Sequence, residues 1–499
     1  MSKLSTAMPF AAAALDARSS VALYRQLYDG IRRAILAGQL KAGTRLPSTR
    51  ELACELGVSR NTVMNAFEQL LAEGYVEGHT GSGTFVSRTL PDDLLNARAG
   101  ERRAAHPRPR RRALSTRGAS LAATHINLSR FEGRARPFRP GTPALDAFPF
   151  ELWSRLTARH WRRPRRDLLN YGDPAGHAPL RAAIAAYLGA ARAVVCEPEQ
   201  VIVVAGAQQA LDLAARVLLD PGDAAWVEEP GYLGAKGALA AAGARLVPVP
   251  LDENGMDVEA GADVEPSARL VYVSPSHQYP TGVTMSLARR LALIEWASRA
   301  GAWILEDDYD SEYRYEGRPL AALQGLDAEG RVIYLGTFSK VLFPALRIGY
   351  MVVPADLVAA FCAARALSDR HSPTVEQAVL TDFLEEGHFA RHVRRMRALY
   401  SSRQAVLVEE ARRELKDLLE IETSAAGLHL MGWLPEDMDD RVAARAAEAH
   451  GVDAQPLSSF CLGRPRRGGL VLGYAAYDAQ EIREGVKRLA AALRVRPRK

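Results

Sequence analysis

Cysteine is scarce. The chain has four, Cys54, Cys196, Cys362 and Cys461, far apart and with no C-x-x-C pair. That spacing supports neither a disulfide framework nor a zinc site, so no metal is expected. Long apolar runs are also missing. No stretch approaches the length of a membrane span, and residues 11–15 lack the long apolar core behind a basic start that marks a signal peptide. A reducing cytoplasm is the default expectation. Apolar residues at 48% and charged residues at 24% are those of a soluble globular protein, and 499 residues exceed one ordinary domain.

What is present is unevenly placed. Residues 1–120 hold 18 Lys and Arg against 10 Asp and Glu, a surplus of +8. The remaining residues hold 46 against 48, or −2. Positive charge confined to the N-terminal quarter points to a polyanionic partner there, nucleic acid first. A solvated basic face would account for the charge alone equally well.

Tyr24, Leu27, Ile31, Ala34 and Ile35 recur at helical spacing and predict a first helix ending near Ala37. Ser48, with Glu51 three residues on, is a capping box opening a short second helix. Gly57-Val58 is a turn, and Ser59 caps a third helix with Val63, Phe67, Leu70 and Leu71 inward. Two short strands around a glycine-rich tip follow. Helix, turn, helix and β-ribbon make a winged helix-turn-helix over residues 20–88. Its recognition helix exposes Ser59, Arg60, Asn61 and Thr62, residue types that reach phosphates and base edges of double-stranded DNA. Arg50 and the wing tip Gly81, Ser82, Gly83 and Thr84 are placed for backbone contacts. An ordinary small helical domain is the plainer alternative. The run from Leu46 to Val76, L-P-S-T-R-E-L-A-x-x-L-G-V-S-R-N-T-V-x-x-A-F-x-x-L-x-x-E-G-Y-V, resembles the DNA-binding domain of GntR-type bacterial regulators.

Residues 89–140 carry arginines 102, 103, 108, 110, 111, 112 and 117 interleaved with proline and alanine, with little periodicity. They read as a basic flexible linker.

From residue 141 to 499 short β-rich runs alternate with helical segments, which predicts an α/β domain with a mainly parallel sheet. The last hundred residues read as a smaller α+β lobe with a long Arg-rich helix near 389–418. Four stations follow strand ends. Gly206-Ala207-Gln208 opens a helix, where bare N–H groups bind phosphate. Tyr232 in Glu229-Pro230-Gly231-Tyr232 can stack on a flat ring. Glu306-Asp307-Asp308-Tyr309-Asp310 concentrates acids that call for a cationic partner. Lys340 stands after Thr337 and Ser339 and seven residues before Arg347.

A tight turn, a core tyrosine and a solvated acidic loop would explain each station singly. In this order, with Tyr171-Gly172-Asp173-Pro174-Ala175-Gly176 and Pro280-Thr281-Gly282, they resemble the fold-type-I aminotransferases. That resemblance implies pyridoxal 5′-phosphate as cofactor and an internal aldimine at Lys340. It implies that Asp307 pairs with the pyridine nitrogen, Tyr309 reaches the ring hydroxyl and Tyr232 stacks. It implies that Gly206, Ala207, Gln208, Thr337, Ser339 and Arg347 hold the phosphate. Two positions depart from the pattern: Tyr279 replaces an asparagine, and Val471 occupies the slot of the arginine that holds the substrate carboxylate.

The combination of GntR-type winged helix, basic tether and aminotransferase-like domain resembles the MocR family of transcription regulators. This implies a head-to-tail homodimer that senses pyridoxal phosphate or an amine effector, with little or no physiological turnover. Members that bind GABA place an arginine two residues after the stacking tyrosine; Gly234 stands there, which disfavours GABA. Two rivals are a working aminotransferase with an appended DNA-binding domain and a DNA-binding protein whose large domain only dimerises.

Overall fold

The computed structural model describes residues 15–16, 19–79, 82–90, 113–123, 136–163, 165–317 and 320–494. They fall into two compact units, divided between Ala113 and Leu114.

The first unit contains helices α1 (Leu23–Leu36), α2 (Thr49–Leu56) and α3 (Arg60–Ala72) and the antiparallel ribbon β1 (Val76–His79) and β2 (Gly83–Val86). Ser48 and Glu51 close a reciprocal capping box on α2, and the Ser59 hydroxyl accepts the Thr62 N–H at the start of α3. Leu27, Ile31 and Ile35 of α1 pack with Leu52, Val63, Phe67 and Leu70. Two expected core residues are outside: Tyr24 is 39% exposed and Leu71 is 51% exposed. Tyr24 sits in the first turn of α1, beyond the reach of the small core. Leu71 lies about 100° around α3 from Leu70 and so faces solvent.

The second unit is built on eight strands: β3 (Val201–Val204), β4 (Ala224–Glu229), β5 (Arg245–Asp252), β6 (Gly255–Met256), β7 (Leu270–Val273), β8 (Trp303–Asp308), β9 (Val332–Thr337) and β10 (Gly349–Val352). Their order is β3-β10-β9-β8-β7-β4-β5-β6. β9, β8, β7, β4 and β5 are mutually parallel, whereas β10 runs against both neighbours and β6 against β5. Helices cover both faces, so β3, β7, β9 and β10 are buried throughout and read as continuous apolar runs. A smaller four-stranded antiparallel sheet, β11 (Glu420–Ile421), β12 (His429–Trp433), β13 (Gln455–Pro456) and β14 (Gly469–Gly473), packs with the helices His388–Glu414 and Ala479–Arg494.

Part of the span read as an unstructured linker is helical. Thr116–Ala123 forms a helix, and Arg117 Nε donates to the Ala241 carbonyl at 3.1 Å. Within that span, residues 91–112 and 124–135 lie outside the described residues.

Candidate cofactor site and nucleic-acid interface

The sheet registers assemble the site. Gly349 at the start of β10 pairs with Val204 at the end of β3 and with Thr337 at the end of β9. Gly206, Arg347 and Thr337 are thereby brought to one edge of the sheet. β8 ends beside β9, with Asp307 opposite Leu335 and Asp308 opposite Gly336. This is the carboxyl end of the parallel strands, where ligands of open α/β sheets bind.

Lys340 points its amine at the Gly141 carbonyl, 2.8 Å away. Burial lowers its pKa, against the pull of the Asp310 and Asp307 carboxylates. A shift in that direction favours the neutral amine, the form that attacks a carbonyl carbon. Asp307 is buried and accepts the Tyr272 hydroxyl on Oδ2 at 2.7 Å. Its other oxygen, Oδ1, is buried with no hydrogen-bond partner. Burial raises the Asp307 pKa to about 6, and Asp308 and Asp310 add to the rise. Such a carboxylate is suited to one more donor, a protonated ring nitrogen above all.

The neighbouring acids find partners within the chain, although Asp308 Oδ1, like Asp307 Oδ1, is buried without one. Asp308 pairs with the buried Arg192 at 2.7 Å, and Glu306 accepts the N–H groups of Leu323 and Gln324. Asp310 lies 3.0 Å from His277 Nδ1, which also lies 3.0 Å from the Tyr309 hydroxyl. Asp310, His277 and Tyr309 therefore form a buried chain that fixes the phenol. Among the described residues, His277, Asp310 and His429 present possible ligand atoms within 4.8 Å of one another. The His277 Nδ1 contacts to Asp310 and Tyr309 account for much of that closeness as hydrogen bonding.

A cradle for an anion sits at the other end. Gly206, at φ 109°, is the N-cap of the helix Ala207–Leu218, and a Cβ on it would lie 3.3 Å from an Arg347 guanidinium nitrogen. The side chain of Gln208 is used on the Gly234 carbonyl at 3.0 Å, which leaves its main-chain N–H in the first turn. Thr337 accepts the Ser339 N–H at 3.2 Å, while Ser339 Oγ is buried without a partner. Tyr232 is half-buried, and its hydroxyl pKa is pushed up to about 12 by burial and by Asp307, with Arg347 opposing. Unpartnered buried oxygens on Asp307 and Ser339, a guanidinium over a helix N-terminus and a half-buried lysine fit a phosphorylated pyridine aldehyde.

The two departures also have places. Tyr279 sits edge-on to Tyr232, Tyr309 and Phe460. Val471 is fully buried in β14, opposite Met431. The arginines upstream do not replace it: Arg467 donates to the Leu434 carbonyl and pairs with Glu420, each at 2.8 Å, and Arg464 and Arg466 are exposed.

In the first unit, Arg50, Ser59, Arg60 and Asn61 are exposed and Thr62 is half-buried. Arg60 Nε lies 3.4 Å from the Thr49 hydroxyl, and Ser59 Oγ lies 2.8 Å from Thr62 Oγ1. Ser82 and Gly83 are exposed and Thr84 is half-buried at the wing; Gly81 lies outside the described residues. Sequence reasoning passed over Arg45, whose guanidinium lies against the wing at Gly83. It also missed Tyr272, His277 and Gly141. Their separation from Asp307, Tyr309 and Lys340 in the chain leaves no local signal.

The fold and site define a class: an aminotransferase-like, cofactor-binding domain joined to a DNA-binding winged helix. The family model described as bacterial regulatory proteins, gntR family, matches residues 23–86, and that for aminotransferase class I and II matches residues 149–489. The probable rhizopine catabolism regulatory protein MocR of Rhizobium meliloti is 48% identical over 96% of this chain and 95% of its own length. The pyridoxine biosynthesis transcriptional regulator PdxR of Corynebacterium glutamicum is 31% identical over 94% and 96%. Among solved structures, LysN, the α-aminoadipate aminotransferase of Thermus thermophilus complexed with N-(5′-phosphopyridoxyl)-L-leucine, superposes with a TM-score of 0.67. It is 32% identical and covers 72% of this chain and 92% of its own. The chain belongs to the MocR-type transcriptional regulators, GntR-type DNA-binding proteins with a pyridoxal-phosphate-binding aminotransferase-like domain. Among the described residues no helix is long and apolar enough to cross a membrane.

Proposed function

We propose that this regulator senses pyridoxal phosphate or a primary amine at Lys340 and couples that event to DNA binding. The carrying observation is the half-buried Lys340 amine, on which the Asp307 carboxylate acts, with Asp307 Oδ1 left without a partner. When bound, pyridoxal phosphate supplies an aldehyde carbon that condenses with primary amines. Lys340 would hold the cofactor, and an effector amine would compete with it. Asp307 would keep a proton on the ring nitrogen. Tyr309, fixed by His277 and Asp310, would hydrogen-bond the ring oxygen. Tyr232 would cover the ring. The N–H groups at Gly206, Ala207 and Gln208, the hydroxyls of Thr337 and Ser339, and Arg347 take the phosphate.

In this reading, residues 20–88 read DNA through Arg50, Ser59, Arg60, Asn61, Thr62 and the wing residues 81–84. The chain between them and residue 141 tethers them to the sensor, with the helix Thr116–Ala123 already belonging to the sensor unit. The chain works in the cytoplasm as a head-to-tail homodimer. Trp161, Leu169, Tyr171 and Leu367, each more than half exposed, supply apolar surface for a subunit interface. Borohydride treatment of the holoprotein, followed by peptide mapping, tests the central residue. The cofactor is expected on Lys340; a cofactor fixed elsewhere, or none fixed, would refute the assignment.

A further inference from the structure

We infer that the effector is a primary amine without a carboxylate beside the amine, with an uncharged body. This rests on the reading that an amine displaces Lys340. Tyr279, whose ring lies 6.1 Å from that of Tyr232, packs against an apolar cluster of Val471, Met431, Leu457 and Phe460. The Tyr279 ring lies 5.3 Å from Phe460 and 5.1 Å from His429. A carboxylate carried into such a cluster loses its water and gains no counter-charge, which disfavours it strongly.

The nearby cations are committed elsewhere. Lys236 is held by Glu229 and by the Phe460 carbonyl, both at 2.6 Å. Glu229 is in turn tied to the N–H groups of Leu462 and Gly463. Arg467 faces Glu420. Arg347 sits at the anion cradle beside Gly206. His429 is driven down to about 3 by burial and then by His277, so it is neutral. At position 234 no cationic side chain fits, because a Cβ there would overlap the Tyr232 ring. The charged groups that act on the Lys340 amine are Asp310 and Asp307. That field attracts an ammonium and repels a carboxylate.

The exchange is redox-neutral. A bond forms from the effector nitrogen to the cofactor carbon as the bond to Lys340 Nζ breaks. The two protons of the incoming amine pass to the lysine nitrogen, which leaves as a neutral amine. Nothing in that sequence needs a carboxylate.

The test uses full-length holoprotein and the matched pair L-alaninol and L-alanine, following the cofactor absorbance as each displaces Lys340. Alaninol is expected to bind at least about tenfold more tightly, the scale of one missing charge-assisted hydrogen bond. The variant Val471→Arg is expected to shift that preference towards alanine, with Val471→Leu as the folding control. Alanine binding wild type as tightly as alaninol overturns this inference and leaves amine sensing standing. If neither compound displaces a cofactor that borohydride fixes to Lys340, this inference falls together with the amine reading beneath it. Should Val471→Arg fail to fold, the wild-type comparison alone decides.

Discussion

Asp307 is the residue whose cost and use are most sharply opposed. Its carboxyl titrates at about 6 in the folded chain against an ordinary 3.8. Between those values the folded state holds more protons than the unfolded one. Its contribution to stability is therefore present below the unfolded pKa and lost as pH rises through the folded one. In cofactor-free protein, Asp307→Asn is expected to be more stable than wild type at neutral pH, by up to about 3 kcal/mol, with the two converging below about pH 4. Urea denaturation across pH measures this; a variant less stable at neutral pH would show that the carboxylate is well paired without cofactor. The same substitution should weaken cofactor binding by about 10- to 100-fold in a fluorescence titration, the value of a hydrogen bond to a charged group. Asp307 and Lys340 stood out in the sequence because the first lies in an acidic run at the end of a strand and the second follows a strand beyond two hydroxyls. The cationic partner expected for the acid run is divided in the structure: Arg192 serves Asp308 and backbone N–H groups serve Glu306. Arg192 lies 116 residues away from Asp308, so no local pattern announces it.

At the scale of elements, caps and cradle carry the testable claims. Ser59 is the N-cap of α3, and Ser59→Ala is expected to cost about 1 kcal/mol in the DNA-binding unit. The loss should appear in the thermal unfolding of that unit, with cofactor affinity unchanged; a coupled loss of cofactor would contradict it. Gly206→Val places a branched side chain at φ 109° against Arg347. Weaker binding of the cofactor phosphate is expected, read as a higher Kd for pyridoxal phosphate than in wild type. An unchanged Kd would remove Gly206 from the cradle. Periodicity located the helices Leu287–Ala300 and Ala479–Arg494 well, since both are long and the second buries one apolar face, Ile482, Val486, Leu489 and Leu493. It did not reveal that β10 runs antiparallel, because a four-residue buried run carries no direction. β5 carries two prolines. They are tolerated because β6 pairs only with Leu251 and Asp252, which leaves Pro248 and Pro250 exposed on that side.

Over the whole molecule, one chain joins a basic DNA reader to a cofactor pocket. Composition showed the division, since the surplus of positive charge ends with the first quarter. It could not show the helix Thr116–Ala123, a short segment whose Arg117 is anchored by the distant Ala241. The central claim is that chemistry at Lys340 changes DNA binding. The most direct measurement is affinity and footprint on DNA from the chain's own upstream region, for wild type and Lys340→Ala, each titrated with pyridoxal phosphate and with primary amines. Wild type is expected to change its affinity or footprint with cofactor or amine, and Lys340→Ala to remain as it is without them. Wild-type binding that no cofactor or amine alters, or a Lys340→Ala variant that responds as wild type does, would contradict the account.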